Sequence, residues 1–173
     1  LREVATGGML LSALSFLGLS MTDFSTQQWQ AWGLMTLLGF SVASALLASS
    51  SAIMAAAPKE KAAAAGAIET MAYELGAGLG IALFGLILTR SYTSSIVLPG
   101  GIEGAAAEQA SSSISEAIKL AQSLPAIPAQ SLLEAAKAAF IHSHSIVLAT
   151  AGVLLLLLAA GIWRSLAKAP ELN

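Results

Sequence analysis

Two glutamates, Glu69 and Glu74, stand in the stretch "AIETMAYELGAGLGIALFG" at residues 67 to 85, where every other residue except Thr70 is apolar, glycine or the aromatic Tyr73. A carboxylate in such surroundings costs free energy unless it is neutralised, paired or used. Desolvation favours its protonated form, and a cation favours its ionised form, so the chemistry these residues offer is reversible binding of a proton or a cation. The two are five residues apart, which on a helix separates their side chains by about 140°. They therefore cannot act as a same-face pair, and separate partners are expected. Gly66, Glu69, Tyr73, Gly76 and Gly80 do share a face, with Gly76 and Gly80 at GxxxG spacing. Small residues at this spacing admit a second helix, so Gly66, Gly76 and Gly80 read as packing positions. Tyr73, one turn from Glu69, either packs in that contact or offers an aromatic face to a cationic ligand.

The element that must hold these residues is a membrane span. Of the 173 residues, 56% are hydrophobic and 10% are charged, against about 25% charged in a soluble domain. The net charge of -2 gives nucleic acid no electrostatic footprint. Four segments are long enough to cross a hydrocarbon layer about 30 Å thick; they run from about residue 4 to 21, 31 to 57, 62 to 89 and 141 to 163. None alternates as a barrel strand does, so the expected fold is an all-α polytopic membrane protein with four transmembrane helices. Counting about 1.5 Å per residue from Ala62 puts Glu69 roughly 10 Å and Glu74 roughly 18 Å along the third span, the latter near the midplane.

The connections suggest an orientation. With the first residues cytoplasmic, Arg2, the "PKEK" turn at 58 to 61 and the tail from 164 to 173 lie inside, and the segment from 90 to 140 lies outside. Trp29, Trp32, Tyr92 and Trp163 fall near the expected interfaces. The outer segment is of another material. "LPGGIEG" opens it and "LPAIPAQ" divides it into two short helical patterns, in which Ile114, Ile118 and Ala121 share one face and Leu132, Ala135 and Ala139 another. These suit amphipathic helices lying on the membrane surface or capping the spans. The chain starts at Leu1 without the basic opening of a signal peptide, and reads as a fragment of a longer protein.

Other chemistry has little to stand on. Cysteine is absent, which removes disulfides, thiolate metal sites and a thiol nucleophile. His142 and His144 would point about 200° apart on a helix, poorly placed to share a metal. "GAGLGI" has Ile81 where a dinucleotide fingerprint needs its last glycine, and no strand precedes it. Ser41, Ser44 and Ser49 to Ser51 suit helix packing. No nucleophile stands beside a base, so neither an enzyme nor a cofactor is expected.

The stretch "PKEKAAAAGAIETMAYELGAGLGIALFG", Pro58 to Gly85, resembles the penultimate span of the fourteen-span drug:proton antiporters of the major facilitator superfamily, the QacA and SmvA type of multidrug exporter. The layout is similar too: a short turn before the stretch, a long outer segment after it, then one last span. The resemblance implies that the chain corresponds to spans eleven to fourteen and that the missing N-terminal spans are its partners, with the bilayer, protons and cationic amphiphilic molecules. It implies roles in proton coupling and cation recognition for Glu69 and Glu74, and a bacterial cytoplasmic membrane. The family pattern often carries a second carboxylate directly after the first, where Thr70 stands here, a difference that bears on substrate charge. The competing expectation is a membrane interaction module whose glutamates only bind partner helices.

Overall fold

The structure, a computed structural model, describes residues 2 to 24 and 26 to 167. Its regular elements are all helical: α1 (Arg2–Ser20), α2 (Gln28–Ala56), a single 3-10 turn (Lys59–Lys61), α3 (Ala62–Ser95), α4 (Gly104–Ser112), α5 (Ile114–Ala121) and α6 (Ala126–Ala167). Four of them, α1, α2, α3 and α6, are long and apolar enough to cross a membrane. The chain is an all-α membrane protein. The part of the expected tail beyond residue 167 lies outside the described residues.

Local chemistry explains the boundaries. Pro58 forces its predecessor out of the helical region, so Ala57 is extended (φ -81°, ψ 133°) and α2 stops. The Pro58 carbonyl then accepts from the Lys61 amide at 2.9 Å, which starts the next helix at Ala62. In "PGGIEG", residues 99 to 104, Gly101 has φ +90° and Gly104 φ +60°, values that a side chain resists, and between them the backbone turns into α4. Pro128 does not break α6 because it sits in the first turn, where its missing N–H has no helical acceptor to lose. From there α6 runs without interruption through Phe140 and Ile141, where hydropathy alone divides an outer helix from the last span.

The chain forms two compact units, residues 1 to 79 with 148 to 173, and residues 80 to 147. In the first, α1 packs on α2 through small residues. A Cβ added at Gly8 would stand 2.8 Å from the Ser41 carbonyl oxygen and 2.9 Å from Ala45 Cβ, so the two backbones touch there. Ser12 Oγ donates to the Gly8 carbonyl at 2.8 Å, and the Ser12 and Ser41 hydroxyls lie 2.8 Å apart, both buried. Such bonds satisfy hydroxyls that no water would reach in lipid. The final half of α6 runs antiparallel to α1 and meets it at Gly152, where an added Cβ would stand 2.8 Å from Leu17 Cγ and 3.1 Å from the Ala13 carbonyl oxygen.

In the second unit the core consists of Tyr92, Ile102, Ala110, Ala117, Ala121, Leu132, Ala136 and Ala139. Alanine lets α4, α5 and the start of α6 approach closely around one large ring. The Tyr92 hydroxyl donates to the Ala110 carbonyl at 3.2 Å and Thr93 Oγ1 to the Ser111 carbonyl at 2.9 Å, pinning α4 to the end of α3. In α5 the buried positions are Ala117 and Ala121, whereas Ile118 is exposed, so the face that packs is centred one residue from the Ile114–Ile118 line.

The start of α5 supplies a test. Ser113 caps it, accepting from the Glu116 amide at 3.2 Å, and Ser113→Ala should destabilise this unit by about 1 kcal/mol. The Glu116 carboxylate accepts from the Lys119 ammonium at 2.6 Å and from the Gln109 amide at 2.9 Å, and these bonds hold it below the ordinary carboxylate range. A carboxyl lowered by folding stabilises the fold when ionised. Its contribution is present above the ordinary value of 4.5 and is lost as the pH falls through the lowered one. Amide protection of α5, corrected for intrinsic exchange, should therefore fall through that window, and Glu116→Gln should remove the dependence.

Candidate functional site

Helix α3 places the glutamates. It begins at Ala62, so the rise to Glu69 and Glu74 follows the residue count, and its 34 residues extend about 51 Å, longer than the hydrocarbon is thick. Apolar side chains surround it on all sides: Ile68, Met71, Leu75, Leu79, Ile81, Leu83 and Leu86 are all exposed. In the most apolar window of this helix no residue is buried within the structure. A helix that is apolar all round is stable only with lipid or protein on every face. The described chain covers very little of this one.

Glu69 is half-buried, and Glu74 and Tyr73 are exposed. Among the described residues neither carboxylate has a hydrogen-bond or ion-pair partner, and the Tyr73 hydroxyl has none either. Thr70, by contrast, is satisfied by its own helix, Oγ1 donating to the Gly66 carbonyl at 3.0 Å. The glycine face divides in two. A Cβ at Gly66 would stand 3.4 Å from Met54 Cε of α2, whereas one added at Gly76, Gly78 or Gly80 would meet nothing within 4 Å. The structure thus brings Gly66 near Met54 of α2, leaves Glu69 half-buried and Tyr73 and Glu74 exposed, and leaves Gly76 and Gly80 with open space where a Cβ would stand among the described residues.

The histidines go to different places. His142 lines a cleft of about 410 Å³ with Ser95, Val97 and Ala139, and the ring of His144 stacks on Phe140 at a centroid distance of 6.1 Å. No group of three or more metal-ligating side chains occurs among the described residues. Ser41 belongs to the α1 and α2 contact described above, and Ser44 Oγ donates to the Phe40 carbonyl of its own helix at 2.8 Å. Sequence reasoning overlooked the ends of α1 and α6. There Glu3, Thr6, Gly7 and Leu10 face Leu156, Ala159, Ala160, Trp163 and Arg164 across an open cleft of about 680 Å³. Only the polar residues flanking two apolar runs could have signalled it.

The chain is 72% identical over 169 residues, 98% of its length, to the methyl viologen resistance protein SmvA of Salmonella typhimurium, in both strain 14028s and strain LT2. It is also 41% identical over 92 residues, 53% of its length, to the multidrug efflux pump LfrA of Mycolicibacterium smegmatis. No family model matches it, and no solved structure does. The chain spans about a third of the length of the SmvA proteins (34%) and 18% of that of LfrA. The likeness that residues 58 to 85 carry thus extends across nearly the whole sequence, which is similar to a third of an SmvA-type methyl viologen resistance protein.

Proposed function

We propose that this chain forms the last four spans of a proton-coupled multidrug antiporter of the major facilitator superfamily, one that exports lipophilic or quaternary ammonium cations. It lies in the bacterial cytoplasmic membrane with both ends of this stretch in the cytoplasm, and it is a transporter, with no nucleophile and base of an enzyme. The observation that carries this reading is a pair of carboxylates, without hydrogen-bond or ion-pair partners among the described residues, on a span whose most apolar window the described residues leave uncovered. The similarity to SmvA adds chemistry, since methyl viologen carries two quaternised nitrogens and has no proton to give. A carboxylate is the side chain that can attract it, and Tyr73 beside Glu69 supplies an aromatic face.

The mechanism is exchange by competition. One carboxyl of the pair Glu69 and Glu74 holds a proton while the site faces the acidic outside, and releases it when a cation arrives from the cytoplasm or inner leaflet. Rocking of the two halves of the transporter exposes the site to each side in turn. Gly66, Gly76 and Gly80 let neighbouring spans close against the helix that carries it. Cation affinity of the full-length protein should then rise about tenfold per pH unit where one carboxyl titrates, since one unit corresponds to about 1.4 kcal/mol. Fluorescence titration with a quaternary ammonium dye across pH measures this. Affinity independent of pH would favour the interaction-module reading, in which the glutamates only hold partner helices.

A further inference from the structure

The cleft between the start of α1 and the end of α6 combines features that the exchange mechanism leaves unused. The two antiparallel helices touch at Gly152 and stand apart toward Glu3 and Arg164, and the gap of about 680 Å³ is walled by Gly7, Leu10, Leu156, Ala159 and Ala160. That volume lies in the range of small-molecule sites. Its lining is apolar along most of its length and charged at one end, where Glu3 and Arg164 both border it without forming an ion pair. Thr6, only 4% exposed, lines the same wall, and its hydroxyl is buried without a hydrogen-bond partner. A buried hydroxyl left unpaired is destabilising, so its presence beside a cleft points to an acceptor supplied by an occupant.

We propose that this cleft binds a zwitterionic glycerophospholipid whose head group carries a primary ammonium, with its phosphate on Arg164, its ammonium on Glu3, a glycerol ester oxygen on Thr6 and an acyl chain along Leu10 and Leu156. The charges select this class. Arg164 would repel the amphiphilic cations of the proposed transport reaction, and Glu3 would repel an anionic lipid, whereas a molecule bearing both signs satisfies both side chains. A primary ammonium donates hydrogen bonds to a carboxylate, and a trimethylated one does not. Trp163, at the same end of the cleft, is the residue type that sits at head-group level. The outcome does not depend on proton exchange, because it is read as bound lipid and not as transport.

The test uses the full-length protein, purified and reconstituted in nanodiscs containing dioleoylphosphatidylethanolamine, dioleoylphosphatidylcholine or dioleoylphosphatidylglycerol, with retained lipid counted by native mass spectrometry. The ethanolamine lipid should be retained about tenfold more than either of the others. Glu3→Gln should abolish the preference over the choline lipid, and Arg164→Gln should lower retention of the ethanolamine lipid about tenfold. Thr6→Val keeps the shape and leaves no hydroxyl unpaired, so it should not lower the thermal stability of the lipid-free protein, yet it should reduce retention severalfold. Equal retention of the three lipids, or retention unchanged in Glu3→Gln and Arg164→Gln, would overturn the proposal. So would loss of a bound quaternary ammonium dye from the Glu3→Gln protein, which would assign the cleft to a cation.

Discussion

Replacing Glu69 and Glu74 together by glutamine in the full-length protein should reduce export of quaternary ammonium dyes to below about a tenth of the unsubstituted rate, while the protein remains in the membrane in normal amount. A buried charge contact truncated on one side typically costs about 2 to 5 kcal/mol, so losing even one carboxylate that meets the cation predicts a fall of about 30-fold or more in cation binding. The two single variants separate the positions. Glu69 is half-buried and Glu74 is exposed about 140° away around the helix, so the two should not substitute for each other. Dye efflux from cells, with membrane abundance measured in parallel, checks this. Unchanged export in both single variants would remove the proposed role, and a fall in abundance matching the fall in export would favour an assembly role. Neither carboxylate has a partner to lose within the described chain, so glutamine at either position should leave the packing of α1, α2 and α6 intact.

The second large effect concerns stability. Gly8→Val should separate α1 from α2 and lower the melting temperature of the detergent-solubilised protein markedly, at a cost of about 1 to 3 kcal/mol. The reason is the nature of the neighbour. A Cβ at Gly8 would stand 2.8 Å from a backbone oxygen, that of Ser41, which cannot turn aside as a side chain can. Moving α2 away would also pull Ser41 from Ser12, leaving two buried hydroxyls to find new partners. Two other glycine positions of α1 serve as controls. At Gly18 the added atom would meet the Leu34 methyl groups at 3.0 and 3.1 Å, and a leucine can change rotamer, so Gly18→Ala should cost little. At Gly7 it would meet nothing within 4 Å, and Gly7→Ala should be neutral or slightly stabilising, because alanine is the better helix former. Thermal denaturation of the three variants orders them. Equal effects at Gly7 and Gly8 would contradict the contact.

The sequence and the structure meet most closely where local chemistry decides. Pro58 ends α2, and the helix that follows starts at Ala62, which is why the distance of Glu69 and Glu74 from the start of α3 could be counted from residues alone. The turn at "PGGIEG" is legible for the same reason, since Gly101 and Gly104 hold positive φ. Hydropathy marks where apolar surface changes, and a helix need not stop there: α6 passes through Phe140 and Ile141 because nothing at that point interrupts its hydrogen bonds. Contacts between helices were less legible. Gly8 and Gly152 look like every other glycine in an apolar run, and only the approach of Ser41 and Leu17 distinguishes them. The cleft at Glu3 and Arg164 was hidden for a similar reason. Each residue alone reads as the charged end of a span, and their shared border exists only once α1 and α6 lie antiparallel.

For the candidate site itself, the sequence carried the residue types, their positions along α3 and their angular separation. It could not carry what lies opposite them. In the structure, the faces bearing Tyr73, Glu74, Gly76 and Gly80 are open, and the relatives that match at 72% identity are about three times as long as this chain. The groups that complete the site are therefore proposed to come from the rest of the transporter, and substitutions confined to this chain probe one wall of it.

Proton release on cation binding tests the central claim most directly. Purified full-length protein in a weakly buffered solution, near the pH at which cation affinity is steepest, should release about one proton per molecule when a saturating quaternary ammonium salt is added, and none when both Glu69 and Glu74 are glutamine. Binding of the cation without proton release, or release undiminished in the doubly substituted protein, would contradict it.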